Sequence, residues 1–264
     1  MKYKIFNEDC MHTMQRMMKG GYREVDTILT SPPYNNSRPV HTARSVERGM
    51  GRYDSYDDNM SNEDYVAWTI KLFNNFDKIL KPNGKILYNI SYGSENNECM
   101  WLTIAGIINA TNFTIADTII WKKQSAFPNN TSPNKLTRIV EYVFVFCRKD
   151  EYTTFETNKQ IQSIREDTGQ KYYKNITNFV EAKNNDGNCK LNKATYSSDL
   201  CEQLFDIYTP EGSVVYDPFN GTGTTGVACL HKNMLWYFGS ELSAEQCQYS
   251  RDRIEREINE NSNR

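Results

Sequence analysis

Short apolar runs of four to seven residues alternate along this chain with longer stretches in which apolar side chains return every third or fourth position. The first kind predicts strands at Tyr3 to Phe6, Val25 to Leu29, Ile86 to Ile90, Ile115 to Trp121, Glu141 to Cys147, Ser213 to Tyr216 and Met234 to Phe238. The second predicts helices at Met11 to Met18, Glu98 to Asn109, Ser198 to Tyr208, Thr224 to His231 and Ser243 to Ile258. Another helix runs through Tyr65, Trp68, Leu72 and Phe76, a spacing that keeps all four on one face. Ser61 is its expected cap, Asp64 three residues later is an acidic version of the capping-box partner, and KPNG at 81–84 is its expected stop. Methionines on one face of the Met11 to Met18 helix read as packing. Strands alternating with helices predict a layered α/β domain.

Three stretches break this rhythm. Residues 36–60 have no clean period and are rich in Arg, Gly, Tyr and Asp; a loop this long is uncommon unless it functions or is disordered. Residues 122–137 form a shorter polar loop, and residues 150–198, rich in Asn, Lys and Thr, predict an excursion from the core rather than more sheet. No internal repeat is visible.

Composition narrows the class. A chain of 264 residues supports one large domain, or one with a small appendage, and the 38% apolar and 12% aromatic content exclude a disordered chain. Seven scattered cysteines without a CxxC pair indicate neither a disulfide framework nor a zinc site, so no metal is expected, and free thiols fit a reducing, cytoplasmic setting. No segment resembles a signal peptide or a membrane span; Met100 to Trp121 comes closest, but Thr, Asn and Asp interrupt it. A net charge of −2 gives no global reason to expect nucleic acid, so such a partner would have to meet a local basic patch.

The strand Val25 to Leu29 runs directly into TSPPYN, Thr30 to Asn35. Two prolines fix φ twice and remove two backbone donors, which leaves carbonyls beside an aromatic ring. That arrangement suits a flat ligand carrying an amino group, and it equally suits a rigid turn. A second motif, VVYDPFNGTGTTGVACL (Val214 to Leu230), occupies a strand, turn, helix unit in which Gly221 and Gly223 permit a tight turn and close backbone approach. The following strand delivers Glu241, 18 residues beyond Gly223, where a carboxylate accepts bonds from ribose hydroxyls or caps a helix. No GK[ST] and no arginine partner for a 2′-phosphate accompany the loop, so a sulfonium nucleoside such as S-adenosyl-L-methionine fits at least as well as a dinucleotide.

Together the motifs resemble those of the S-adenosylmethionine-dependent DNA amino-methyltransferases, whose hallmarks are a [DNS]PP[YFW] tetrapeptide and a DPFxGxGTT loop. Here these are Ser31-Pro32-Pro33-Tyr34 and Asp217-Pro218-Phe219-Asn220-Gly221-Thr222-Gly223-Thr224-Thr225. The tetrapeptide comes first, as in the permuted beta class. The resemblance takes in most of 1–149 and 199–258, including Asn7-Glu8-Asp9-Cys10, Leu80 to Ile90, Glu141 to Lys149 and the GSEL segment. It departs at Asn192 to Leu200, where such enzymes often carry a histidine-proline-alanine run.

The resemblance implies a three-layer Rossmann-like methyltransferase fold with a mostly parallel central sheet and circularly permuted motif order. It implies that Ser31 Oγ and the Pro32 carbonyl accept the two N–H bonds of a base amine, that Pro32 and Pro33 hold these acceptors rigid, and that Tyr34 stacks on a base taken out of the duplex. Asp9, Cys10, Asp217, Phe219, Asn220, Gly221, Gly223, Thr224 and Glu241 are then the expected cofactor contacts. Double-stranded DNA is the expected partner, met by Arg38, Arg44, Arg48 and Arg52 in the 36–60 loop, with Lys122, Lys123, Lys135 and Arg138 extending the basic face. Residues 1–149 would form the catalytic half, 150–198 a small target-recognition region in which Arg165 and Lys171 to Lys174 are candidate contacts, and 199–264 the cofactor-binding half. Serine at the head of the tetrapeptide leans toward N4 of cytosine, with N6 of adenine close behind. Methylation of RNA or of a protein amide, a non-catalytic nucleic-acid-binding module and a nicotinamide oxidoreductase are the competing readings. A homodimer is compatible with the sequence, and with no nuclease carboxylate cluster in view, any paired restriction endonuclease would be a separate chain.

Overall fold

The computed structural model describes residues 1–35, 60–93, 96–126, 128–130, 133–187, 191–192 and 195–262. Arg38, Arg44, Arg48 and Arg52 therefore lie outside the described residues. The chain opens with β1 (Lys2–Asn7), α1 (Cys10–Lys19), β2 (Val25–Thr30), α2 (Asn62–Ile79), β3 (Leu80–Ile90), α3 (Cys99–Ala110), β4 (Phe113–Lys123) and β5 (Val140–Arg148). After a 3-10 turn at Lys149–Thr154 come β6 (Ile161–Ile164), β7 (Lys171–Tyr173) and β8 (Phe179–Ala182). The last part is α4 (Ser198–Tyr208), β9 (Val214–Asp217), α5 (Thr224–His231), β10 (Trp236–Glu241) and α6 (Ala244–Ser262). The starts of α1, α2 and α4 are set by side-chain caps: Asp9 accepts from the Met11 amide at 2.7 Å, Ser61 Oγ from the Asp64 amide at 3.0 Å, and Ser197 Oγ from the Leu200 amide at 3.2 Å.

Eight strands form one sheet in the order β1-β10-β9-β2-β3-β5-β4-β8. Every neighbouring pair is parallel except those made by β5, which runs antiparallel to both β3 and β4. The apolar runs are continuous because both sheet faces are covered. Ile28, Ile86, Tyr88 and Phe146 pack under Met14, Leu72, Phe73 and Ile104 of α1, α2 and α3. Leu29, Leu87 and Val215, on the opposite face, pack under Leu200, Leu204, Val227 and Ile254 of α4, α5 and α6. Phe73 anchors the first layer, its ring within 5.1 to 5.8 Å of Phe76, Tyr88, Phe113 and Phe146. Fully burying such a ring contributes roughly 2 to 3 kcal/mol.

β2 leads through α2 to β3 on one side, while its neighbour β9 leads through α5 to β10 on the other. That reversal opens a crevice beyond the carboxyl ends of β2 and β9, the place where open α/β sheets bind ligands. The two strands meet although their ends are 187 residues apart in sequence.

Two local expectations are corrected. α2 stops at Ile79, ahead of KPNG, and those four residues bulge within β3: Val25 pairs with Leu80 but Thr27 pairs with Lys85, and Asn83 takes φ 57°. The α2 terminus is instead held by the buried Arg148, which reaches Asp77 Oδ1 at 2.5 Å, the Asp77 carbonyl at 2.9 Å and the Leu80 carbonyl at 3.0 Å. Nor do residues 150–198 leave the sheet entirely. β6 and β7 form a separate antiparallel hairpin, but β8 returns and pairs with β4 from Ile120↔Phe179 to Lys123↔Ala182. Its alternation of exposed and buried positions is too short for periodicity to reveal.

Candidate active site

The crevice holds a cleft with about 890 Å³ of empty space, part of it open to solvent. Asp9 and Cys10 line it from the start of α1, Ser31 and Pro33 from the end of β2, and Glu241 from the end of β10. Asp217, Phe219, Asn220, Gly221 and Thr224 line it from the glycine loop. Residues of both motifs thus share one cleft, although Pro32, Tyr34 and Gly223 do not line it. Gly223 sits just behind it: it precedes α5 with φ 81°, and a Cβ there would lie 2.2 Å from Ser250 Oγ. Only glycine satisfies both the backbone and the packing.

Asp217 ties the two halves together. Its side chain is buried and accepts from Thr30 Oγ1 at 2.8 Å, the Phe219 amide at 3.0 Å, Thr225 Oγ1 at 2.6 Å and Tyr196 Oη at 3.3 Å. Burial pushes its carboxyl up to about 6, against these hydrogen bonds, which favour the charged form. Glu241 closes the other side, accepting from the Gly221 amide and from the Ser243 amide, each at 2.9 Å. It is a cap and a cleft residue at once, and burial raises its carboxyl. Asn220 turns its amide inward, donating to the Gly221 carbonyl and accepting from Tyr237 Oη at 2.8 Å. The Cys10 thiol, buried and next to Asp9, is pushed far up and stays protonated.

The tetrapeptide is braced from behind. Tyr65 of α2 donates its hydroxyl to the Pro33 carbonyl at 2.5 Å, and Pro32 is buried. Tyr34, half-buried, places its hydroxyl 2.9 Å from Ser31 Oγ, 2.8 Å from Asn89 Oδ1 and 3.1 Å from Glu141 Oε2. Glu141 in turn pairs with Lys123. Asn35, buried with φ 53°, exchanges two bonds with the Met60 backbone, Nδ2 to O at 3.0 Å and N to Oδ1 at 2.8 Å, which ties the segment after β2 to the residue that leads into α2. Trp68 packs 5.7 Å from Phe219, so the helix of the first half supports the cofactor loop of the second.

The basic side chains are differently placed from the expected open face. Lys122 is paired with Glu181 at 2.8 Å and Lys123 with Glu141, while Arg138 donates to the Tyr92 carbonyl at 2.5 Å and lies over the Tyr92 ring. Sequence reasoning missed Glu8, Thr195, Tyr196 and Gln246 in the cleft, and Asn89, Glu141 and Tyr65 behind Ser31. Tyr196 and Thr195 lie in the very stretch that departs from the family's run, which was the available signal.

The donor set suits a sulfonium nucleoside. Among the described residues lining the cleft none is Lys or Arg, which the 2′-phosphate of a dinucleotide would call for, whereas Glu8, Asp9, Asp217 and Glu241 suit a cation and a ribose diol. Fold and cleft therefore define a nucleoside-binding α/β enzyme of the methyltransferase type. The chain matches the family model described as DNA methylase over residues 25–252. It is 24% identical over 281 residues to the type II methyltransferase M.BglII of Bacillus subtilis, covering 98% of this chain and 71% of that one. Its fold is similar to that of the PvuII DNA methyltransferase (cytosine-N4-specific), with TM-score 0.70, 17% identity and coverage of 98% and 92% of the two chains. It is also similar to the M1.HpyAVI–SAM complex, with TM-score 0.59, 18% identity and coverage of 95% and 98%. The chain belongs to the DNA methylase family of N6- and N4-amino-methyltransferases, enzymes that take their methyl group from S-adenosylmethionine.

Proposed function

We propose that this enzyme methylates the exocyclic amine of a base flipped out of duplex DNA at a specific sequence, N4 of cytosine being the favoured target and N6 of adenine the alternative. The observation that carries the reading is the Thr30–Asp217 bond, which joins the strand ends so that Ser31 and the glycine loop line one cleft. The serine, and a similar structure described as cytosine-N4-specific, favour cytosine.

Glu241 would hold the ribose, Asp9 and Cys10 would border the adenine, and Asp217 with the loop from Phe219 to Thr224 would hold the amino-acid end. When bound there, S-adenosylmethionine supplies a methyl group activated by a positive sulfur. An aromatic amine is a poor nucleophile because its lone pair is delocalised into the ring, so the protein must align it and accept its N–H bonds as the nitrogen becomes tetrahedral. Ser31 Oγ and the Pro32 carbonyl fill that role, and Tyr34 stacks on the base. Residues 36–60 would contact phosphates, and the β6–β7 hairpin, with Tyr172 and Tyr173 exposed beside Lys171, would belong to the recognition region at 150–198. The cytoplasm is its expected location; a homodimer and a separate endonuclease partner belong to the same reading.

Purified protein incubated with PCR-made duplex DNA and labelled S-adenosylmethionine tests this. Nucleoside analysis should find N4-methylcytosine, and Ser31→Ala and Tyr34→Ala should lose far more turnover than cofactor binding. Turnover of Tyr34→Ala at the wild-type rate would remove the stacking role; DNA retention without cofactor binding would mark a non-catalytic module.

A further inference from the structure

The hydrogen-bond chain behind Ser31 has a direction that its members' chemistry determines. Asn89 Nδ2 donates to the Tyr142 carbonyl at 3.0 Å, which fixes the amide and turns Oδ1 toward Tyr34 Oη at 2.8 Å. Glu141 presents Oε2 to the same hydroxyl at 3.1 Å, while its other oxygen is held by Lys123. Both groups only accept at these atoms, and a phenol has one proton. Tyr34 gives that proton to one of them and has none for Ser31. At 2.9 Å, the remaining bond must therefore run from the Ser31 hydroxyl to Tyr34 Oη.

We infer that Glu141, held by Lys123, is a positioning residue for methyl transfer: it fixes the polarity of this chain so that Ser31 Oγ meets the target amine with lone pairs and not with its proton. The consequence is chemical. A serine that donated its proton to the amine would occupy the electron pair that has to attack the methyl group, whereas an accepting serine stabilises the N–H bonds as positive charge develops. Side-chain exposure of only 15% at Glu141 and 25% at Lys123 keeps the pair partly shielded from water that could reorient it.

This rests on the assignment of Ser31 to the target amine, and the test separates the two. In Glu141→Gln, the ammonium of Lys123 holds the amide oxygen, so the –NH2 faces Tyr34 and competes with Ser31 for its lone pairs. Single-turnover methylation of PCR-made duplex DNA should fall at least about tenfold, with the Kd for S-adenosylmethionine within about twofold of wild type. Tyr34→Phe, which keeps the ring and removes the acceptor, should also slow the step, and Glu141→Gln in that background should add nothing further. A wild-type rate in either single variant, or losses that multiply in the double variant, overturns the inference. If Ser31→Ala is slow while Glu141→Gln is normal, only this inference fails. If Ser31→Ala keeps the wild-type rate, the assignment of Ser31 itself fails.

Discussion

Asp217 is the residue at which the two halves of the site can be weighed by pH. Its carboxyl is raised from the ordinary 3.8 to about 6 because the side chain is 1% exposed, even though four donors face it. The folded state therefore holds a proton more tightly than the unfolded chain does, so the contribution is stabilising at low pH and is lost as pH rises through the window from 3.8 to 6. The full shift corresponds to about 3 kcal/mol, at 1.36 kcal/mol per unit. Between pH 4.5 and 7.5 the linkage relation leaves about 2 kcal/mol of it to be seen. Asn at this position keeps one acceptor and does not titrate. Urea unfolding of wild type and Asp217→Asn, followed by circular dichroism across that range, isolates the effect, since other titrating groups cancel in the difference. The stability of the variant relative to wild type should climb by about 2 kcal/mol from pH 4.5 to 7.5. A difference that stays flat would refute the claim that this buried carboxyl titrates near 6.

Other consequences can be checked more simply. Removing Arg148 by an alanine substitution strips the end of α2 of its buried cation, and chemical unfolding should show a loss of about 3 kcal/mol. Gly223→Ala forces φ 81° on a side chain and drives a methyl against Ser250, so stability should fall by at least about 2 kcal/mol with a matching loss of cofactor binding. Glu241→Gln leaves one acceptor for two backbone donors and should raise the KM for S-adenosylmethionine about tenfold while kcat changes little.

The elements that were legible in the chain are those whose signal is local. Apolar runs located the main strands because both faces of the sheet are buried, and Ser61 with Asp64 marked the start of α2 because a cap involves neighbours in sequence. The two motifs could be read because few residues can replace glycine at φ 81° or a double proline after a strand. What stayed hidden depends on contacts between distant segments. Glu141 reaches Tyr34 across 107 residues and Tyr65 reaches Pro33 across 32, and no periodicity encodes either. Lys122 and Lys123 looked like an open basic edge because their partners, Glu181 and Glu141, come from β8 and β5 and meet β4 only in the folded sheet. KPNG carried a helix stop's composition, yet the stop came from the preceding turn and a distant arginine.

β1 and α6 lie against one another: Arg251 donates to the Ile5 carbonyl at 2.9 Å, and Tyr3 donates its hydroxyl to Glu255 at 2.7 Å. The first strand and the last helix of the described chain are thus neighbours that a linker could join. The exposed turn at 210–212 could then be opened without disturbing a strand or helix. The resulting polypeptide would begin with β9 and the glycine loop and end at α4, so that the glycine loop would precede the tetrapeptide with the strand order of the sheet unchanged. Which motif comes first is therefore a matter of where the backbone is severed, while the two strands that build the catalytic cleft, β2 and β9, stay neighbours in the middle of the sheet whichever connection is cut.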